Sequence, residues 1–103
     1  MSVDLVRSYL RGQNLEQIGR VEEAVALYEE AVVGRFDSSG PYDRLIVIYS
    51  NQARHAEVVR VAEAALVAVH THEEKRAWYE QMRAAALKAG TSGLPQAAPK
   101  KNA

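Results

Sequence analysis

Apolar residues recur along this chain at spacings of three and four, and almost nowhere in strict alternation. Between Val21 and Gly34, Ala24, Leu27, Tyr28, Ala31 and Val32 keep that rhythm, which predicts a helix with one buried stripe. From about Val3 to Ile18 the stripe is Leu5, Ser8, Gly12 and Leu15. A third helix starts at Pro41, whose missing N–H suits a first turn, and buries Tyr42, Leu45, Ile46 and Tyr49. A fourth, from about His55 to Val69, presents Val58, Val61, Ala62, Ala65 and Leu66. Thr71 and Glu74 have the spacing of a capping box opening a fifth helix. That helix runs to about Ala89 with Trp78, Met82, Ala85, Ala86 and Ala89 as its stripe, and Gly90 stops it. The one β-branched run, Ile46-Val47-Ile48, sits among residues that favour a helix. Beyond Gly90, two prolines, small residues and no periodicity predict a disordered Pro/Ala/Lys tail over 91–103, leaving 1–90 as a single all-α domain.

The pattern also repeats. Gly19-Arg20-Val21-Glu22-Glu23-Ala24-Val25-Ala26-Leu27-Tyr28-Glu29-Glu30-Ala31-Val32 sets a glycine between two helices, then a small residue, an aromatic and a second small residue on one stripe. Shifted by 34 positions, Gly12 maps to Ile46, Leu15 to Tyr49, Gly19 to Ala53, Tyr28 to Ala62, Ala31 to Ala65 and Val32 to Leu66. Tyr42 and Leu45 open the second copy. This arrangement resembles the tetratricopeptide repeat (TPR) over about residues 5–70, in two copies, with the fifth helix as a third first-helix or a cap. Ser8, Arg11 and Phe36 depart from the family pattern, which favours a large aromatic, a Leu and a Pro at those places. The resemblance implies antiparallel helix pairs stacked as a short right-handed TPR-like superhelix of five helices. Paired helices approach closely where side chains are small, so Gly12 and Ala24 should mark the first crossing, surrounded by Leu15, Tyr28 and Val32. In the second copy Ile46 and Val58 take the small positions and Ala62 the place of Tyr28, an exchange of volume within one core.

In that family the first helices of successive repeats line a concave groove that holds a partner peptide. Carried over, the groove would show Tyr9, Gln13, Glu16 and Gln17 from the first helix, Asp43, Arg44, Val47, Ser50 and Asn51 from the third, and Trp78 and Gln81 from the fifth. Aromatic anchors and Arg are the residue types that dominate binding energies. The plainer reading is that these are solvated faces, with Trp78, which begins an apolar stripe, capping the core. Chaperone-tail binders of the family grip a C-terminal carboxylate with Lys and Asn; the matching places here hold Tyr9, Gln13, Arg44, Glu74 and Trp78, so that clamp is missing. The resemblance therefore implies a noncatalytic protein–protein interaction module for a partner peptide or helix. The alternative is a self-assembling structural element, a homo-oligomer stacked through its terminal helices. Two copies and a helix are short for an array that usually needs about three units and exposes apolar ends.

Composition narrows the chemistry. The chain has 103 residues, with 13 basic and 13 acidic groups in balance, which argues against bulk nucleic acid or an anionic membrane as partner. In the fifth helix Lys75, Arg76, Arg83 and Lys88 are diluted by Glu73, Glu74 and Glu80. The charges are unevenly spread: five basic against eight acidic groups over 1–51, a balance of −3, and eight against five over 52–103, a balance of +3. No cysteine is present, which excludes disulfides, thiol nucleophiles and Cys-built zinc sites. His70 and His72 stand two apart across a helix break, where a shared metal ion needs a spacing of three or four, so neither a metal nor a cofactor is implied. His55, at the start of the fourth helix, suits a solvated or packed role. Ser38 and Ser39 have no histidine placed to activate them, and Gly34 and Gly40 do not form a phosphate loop, so an enzyme is not expected. No apolar run approaches the roughly 18 residues of a membrane span, and Met1-Ser2-Val3-Asp4 lacks the basic start of a signal peptide. A soluble cytoplasmic protein is the expectation.

Overall fold

Five helices form in the expected order: α1 Val3–Gln17, α2 Val21–Val33, α3 Ser39–Asn51, α4 His55–Ala68 and, after a 3-10 turn over Glu73–Lys75, α5 Arg76–Ser92. The computed structural model describes residues 3–92, and the described residues are all-α, with no strand among them. Pro41 is third rather than first in α3, still inside the turn whose N–H groups have no helical acceptor.

Two expected helix signals are overruled. Thr71 and Glu74 do not form a capping box; the 3-10 turn is entered at His72 without a side-chain cap. Instead the Asp37 carboxylate accepts the backbone N–H groups of His70 (2.7 Å) and Thr71 (3.0 Å), and the Thr71 hydroxyl donates to the Asp37 carbonyl (3.3 Å). Asp37 thus takes the Thr71 N–H that Glu74 would accept in the box, and its carbonyl engages the Thr71 hydroxyl, so a residue distant in sequence displaces the local arrangement. The Thr71 N–H, followed by that of His70, holds the Asp37 carboxyl below its ordinary range. Gly90 does not stop α5 either: among the described glycines only Gly19 has a positive φ, and the helix continues through Gly90 to Ser92. The rest of the expected tail, 93–103, lies outside the described residues.

The ends of α1, α2 and α3 share one device, whereas α4 runs out into extended backbone at Val69. After α1, Gly19 (φ 83°) donates to Glu16 O at 3.0 Å and Arg20 to Leu15 O at 2.9 Å, the two reversed bonds of a Schellman turn. After α3, Ala53 (φ 56°) donates to Ser50 O at 3.0 Å and Arg54 to Tyr49 O at 2.9 Å. Arg35 (φ 54°) and Phe36 repeat the pattern after α2. The first and second of these turns stand 34 residues apart, and each is followed by an Arg–Glu pair, Arg20–Glu23 (2.6 Å) and Arg54–Glu57 (3.3 Å). The 34-residue period of the sequence thus recurs in the backbone at the helix ends. Ala53 bears the strain of a left-handed conformation that Gly19 adopts freely. Ala53→Gly should therefore stabilise the protein by about 0.5–1 kcal/mol, and Gly19→Ala should destabilise it by about the same amount. Urea titration of both variants checks the pair; equal effects of one sign would contradict it.

Packing follows from these turns. α1 and α2 run antiparallel, with Ser8 bonded to Glu30 (3.1 Å) and Gly12 backed onto the Tyr28 ring. A Cβ at position 12 would stand 2.7 Å from Tyr28 Cε1, so the close approach is to that ring, while Ala24 is buried beside it in the core. α4 and α5 are likewise antiparallel: the Arg76 guanidinium caps Leu66 O (2.8 Å) and Arg83 meets Glu63 (3.6 Å). The core is carried by Tyr28, Tyr42, Leu45, Ile46, Val58, Val61 and Tyr79, all essentially removed from solvent. In α5 the buried aromatic is Tyr79, and Trp78 is only half-buried, tilted against it with ring centroids 5.6 Å apart.

Candidate functional site

Three tyrosine–carboxylate–cation clamps join the helices. Tyr28 of α2 donates its phenol to Glu16 of α1 (2.8 Å), and Arg44 of α3 closes on the same carboxylate through Nε (3.0 Å) and Nη2. Tyr49 of α3 donates to Glu29 of α2, which Arg60 of α4 grips through Nη1 (3.1 Å) and Nη2 (2.6 Å). Tyr79 of α5 donates to Asp43 of α3 (2.9 Å), paired in turn with Lys75 (2.9 Å). Each clamp satisfies a phenol that burial would otherwise leave without a partner, the first two tying three consecutive helices together and the third tying α5 to α3.

One of these clamps joins α1 to α3 through Glu16–Arg44, and another joins α3 to α5 through Asp43–Tyr79. At the first, Gln13, Glu16, Gln17 and Arg44 line an open recess of about 280 Å³. Arg44 holds the Glu16 carboxyl below its ordinary range, and Glu16 in return raises the Arg44 guanidinium. Burial, followed by the hydrogen bond to Glu16, pushes the Tyr28 phenol well up. Gln13 Nε2 donates to the Tyr9 hydroxyl (2.9 Å), and the Tyr9 ring tilts against Tyr28 and Phe36, with centroids 6.0 and 6.4 Å away. Tyr9 also leans over Gly40, where a Cβ would strike its ring. The charges of this surface are consequently spent inside the chain. What it can offer a ligand is amide hydrogen bonding and apolar contact, rather than a free charge or a reactive group.

The eleven residues expected in a groove therefore divide. Gln13, Glu16, Gln17 and Arg44 come together in the recess, and Tyr9 borders it through Gln13. Asp43 and Trp78 belong to the α5 junction, with Lys75 Nζ 4.6 Å above the Trp78 ring. Ser50 lies apart, in a smaller recess of about 150 Å³ between the C-terminal halves of α3 and α5, lined also by His55, Met82 and Ala89. Asn51 and Gln81 are exposed, and Val47 is half-buried. The repeat pattern misses Val6 and Leu10, although their spacing with Gln13 and Gln17 sets all four on one face of α1. Leu10 is 51% exposed and Val6 37%, which makes a small apolar patch beside the glutamines. Of the histidines, His70 contributes its backbone N–H to Asp37, and His72 opens the 3-10 turn.

Among the described residues, no helix is long and apolar enough to cross a membrane. No protein-family model, curated protein or solved structure matches the chain.

Proposed function

We propose that the protein is a noncatalytic, cytoplasmic interaction module of TPR-like build, which holds a partner peptide or helix along α1 and α3. The observation that carries this reading is the face formed by Val6, Leu10, Gln13 and Gln17 beside Arg44. Apolar side chains stand exposed there next to amides that have bonding capacity to spare, and the neighbouring Glu16 and Arg44 neutralise each other. A partner suited to it is itself largely uncharged where it touches, with an aliphatic or aromatic anchor over Leu10 and backbone amides facing the glutamines. The 34-residue recurrence of the helix-ending turn supports the TPR-like build.

The substitutions that test this must spare the packing, and Tyr9 and Arg44 are unsuitable because both are built into inter-helix contacts. Leu10→Asp combined with Gln17→Lys alters only exposed side chains. In affinity capture from a cytoplasmic extract, a partner held by the natural chain should be lost, or weakened about tenfold or more, by this double variant while the helical circular dichroism stays unchanged. Retention of the partner at moderate salt is also expected, since the Glu16 and Arg44 charges beside the glutamines are already paired with each other. A partner that binds both chains equally would move the interface to another face.

A further inference from the structure

Beyond the α1–α3 face, the molecule has a second unpartnered surface on its last helix. α5 turns Tyr79 and Ala86 into the core and sends Arg83 to Glu63 of α4. On the opposite side Ala77, Glu80, Gln81, Ala84, Leu87 and Lys88 are all exposed, Leu87 by 51%. Their spacing forms a continuous stripe, with Ala77 and Ala84 one heptad apart. Neither Glu80 nor Lys88 makes an ion pair among the described residues, although six other acidic side chains do.

The stripe is complementary to itself. Glu80 and Lys88 stand four residues either side of Ala84. An antiparallel copy of α5 crossing at Ala84 sets Glu80 of each chain against Lys88 of the other, twice by symmetry. Ala84 at the crossing permits close approach of the backbones, and Leu87 is covered on both sides of it. A parallel pairing would instead align Glu80 with Glu80 and Lys88 with Lys88. We infer that the outward face of α5 is the docking surface for a second copy of this chain, in a two-fold antiparallel helix pair fixed by reciprocal Glu80–Lys88 contacts.

The arrangement leaves the α1–α3 face open, so it stands or falls independently of the proposed partner binding. One helix pair buries less than a standard interface, and its ion pairs are exposed, so the dimer should be weak and weaken further with salt. Sedimentation equilibrium of the full chain, from about 10 µM to about 1 mM, reads it directly. The natural chain should associate to a dimer and no further. Glu80→Lys alone, or Lys88→Glu alone, should weaken self-association about tenfold or more, since each turns two attractive contacts into two repulsive ones. An equimolar mixture of the two variants should recover the dimer. One chain then carries lysine at both positions and the other glutamate at both, so each contact across the pair again joins opposite charges. Circular dichroism of each variant alone checks that the fold is kept. A chain that stays monomeric throughout, or singly substituted chains that dimerise like the natural one, would overturn the assignment. So would a mixture that fails to associate when the natural chain does.

Discussion

Tyr79→Ala should destabilise the protein by about 3–5 kcal/mol, the range for removing a buried aromatic, and should free α5 from the rest of the fold. The residue is 1% exposed, and its hydroxyl ties α5 to Asp43 of α3. The neighbouring Trp78→Ala should cost roughly 1–2 kcal/mol, because that side chain is already half in solvent. Tyr79→Phe isolates the hydrogen bond and should cost about 1 kcal/mol. Guanidinium titrations at a common slope rank the three variants. A Trp78→Ala loss equal to that of Tyr79→Ala would mean that α5 is held by the indole.

That contrast marks where the sequence was legible. The ends of α1, α2 and α4 fall within a residue of their expected positions, since strong periodicity and turn residues agree there. In α5 the run of alanines from 84 to 86 fits more than one stripe, and the adjacent aromatics Trp78 and Tyr79 compete to anchor it. Only the partner decides between them: Asp43 offers a carboxylate to the Tyr79 phenol, and that side of the helix faces the core. The capping box failed for a related reason. Asp37 reaches Thr71 across a sequence gap as long as a whole repeat, and no local pattern contains that competition. For the candidate site, the glutamines and Arg44 were legible from the repeat, but the commitment of Glu16, Asp43 and Arg44 to clamps was not. Spacing sets a charge on a face; it does not reveal whether a tyrosine beneath has already claimed it.

Alkali should unfold the protein abruptly. All five tyrosines have phenols raised above their ordinary value, burial being the first cause in each; Tyr42, whose hydroxyl has no partner among the described residues, is pushed up to about 12. The sign follows from proton counting. Above about pH 10 the unfolded chain releases phenolic protons that the native state retains, so the unfolded state binds fewer protons and stability falls as pH rises. Each of the four phenols buried in the core removes about 1.4 kcal/mol per pH unit once the unfolded tyrosine is ionised. Against a total stability of about 5–15 kcal/mol, the unfolding midpoint should fall at about pH 11–13, earlier the lower that total. Phenolate absorbance near 295 nm and helical ellipticity, followed together, should change in one coincident step. Phenolate appearing near pH 10 with the helices intact would show that the tyrosines are accessible to solvent.

The paired turns at Gly19–Arg20 and Ala53–Arg54 have a bearing on how such a chain can vary in length. Their hydrogen bonds are the same, so the stretch between them, residues 20–53, is a cassette that begins and ends on one joint. A duplicate spliced at either turn would meet geometry the chain already possesses, and would add one helix pair together with the neighbour contact that supports it. A deletion of the same stretch would close on the same joint. Length in this architecture is therefore quantised, and the proposed binding face could be lengthened or shortened by whole cassettes without designing a new turn.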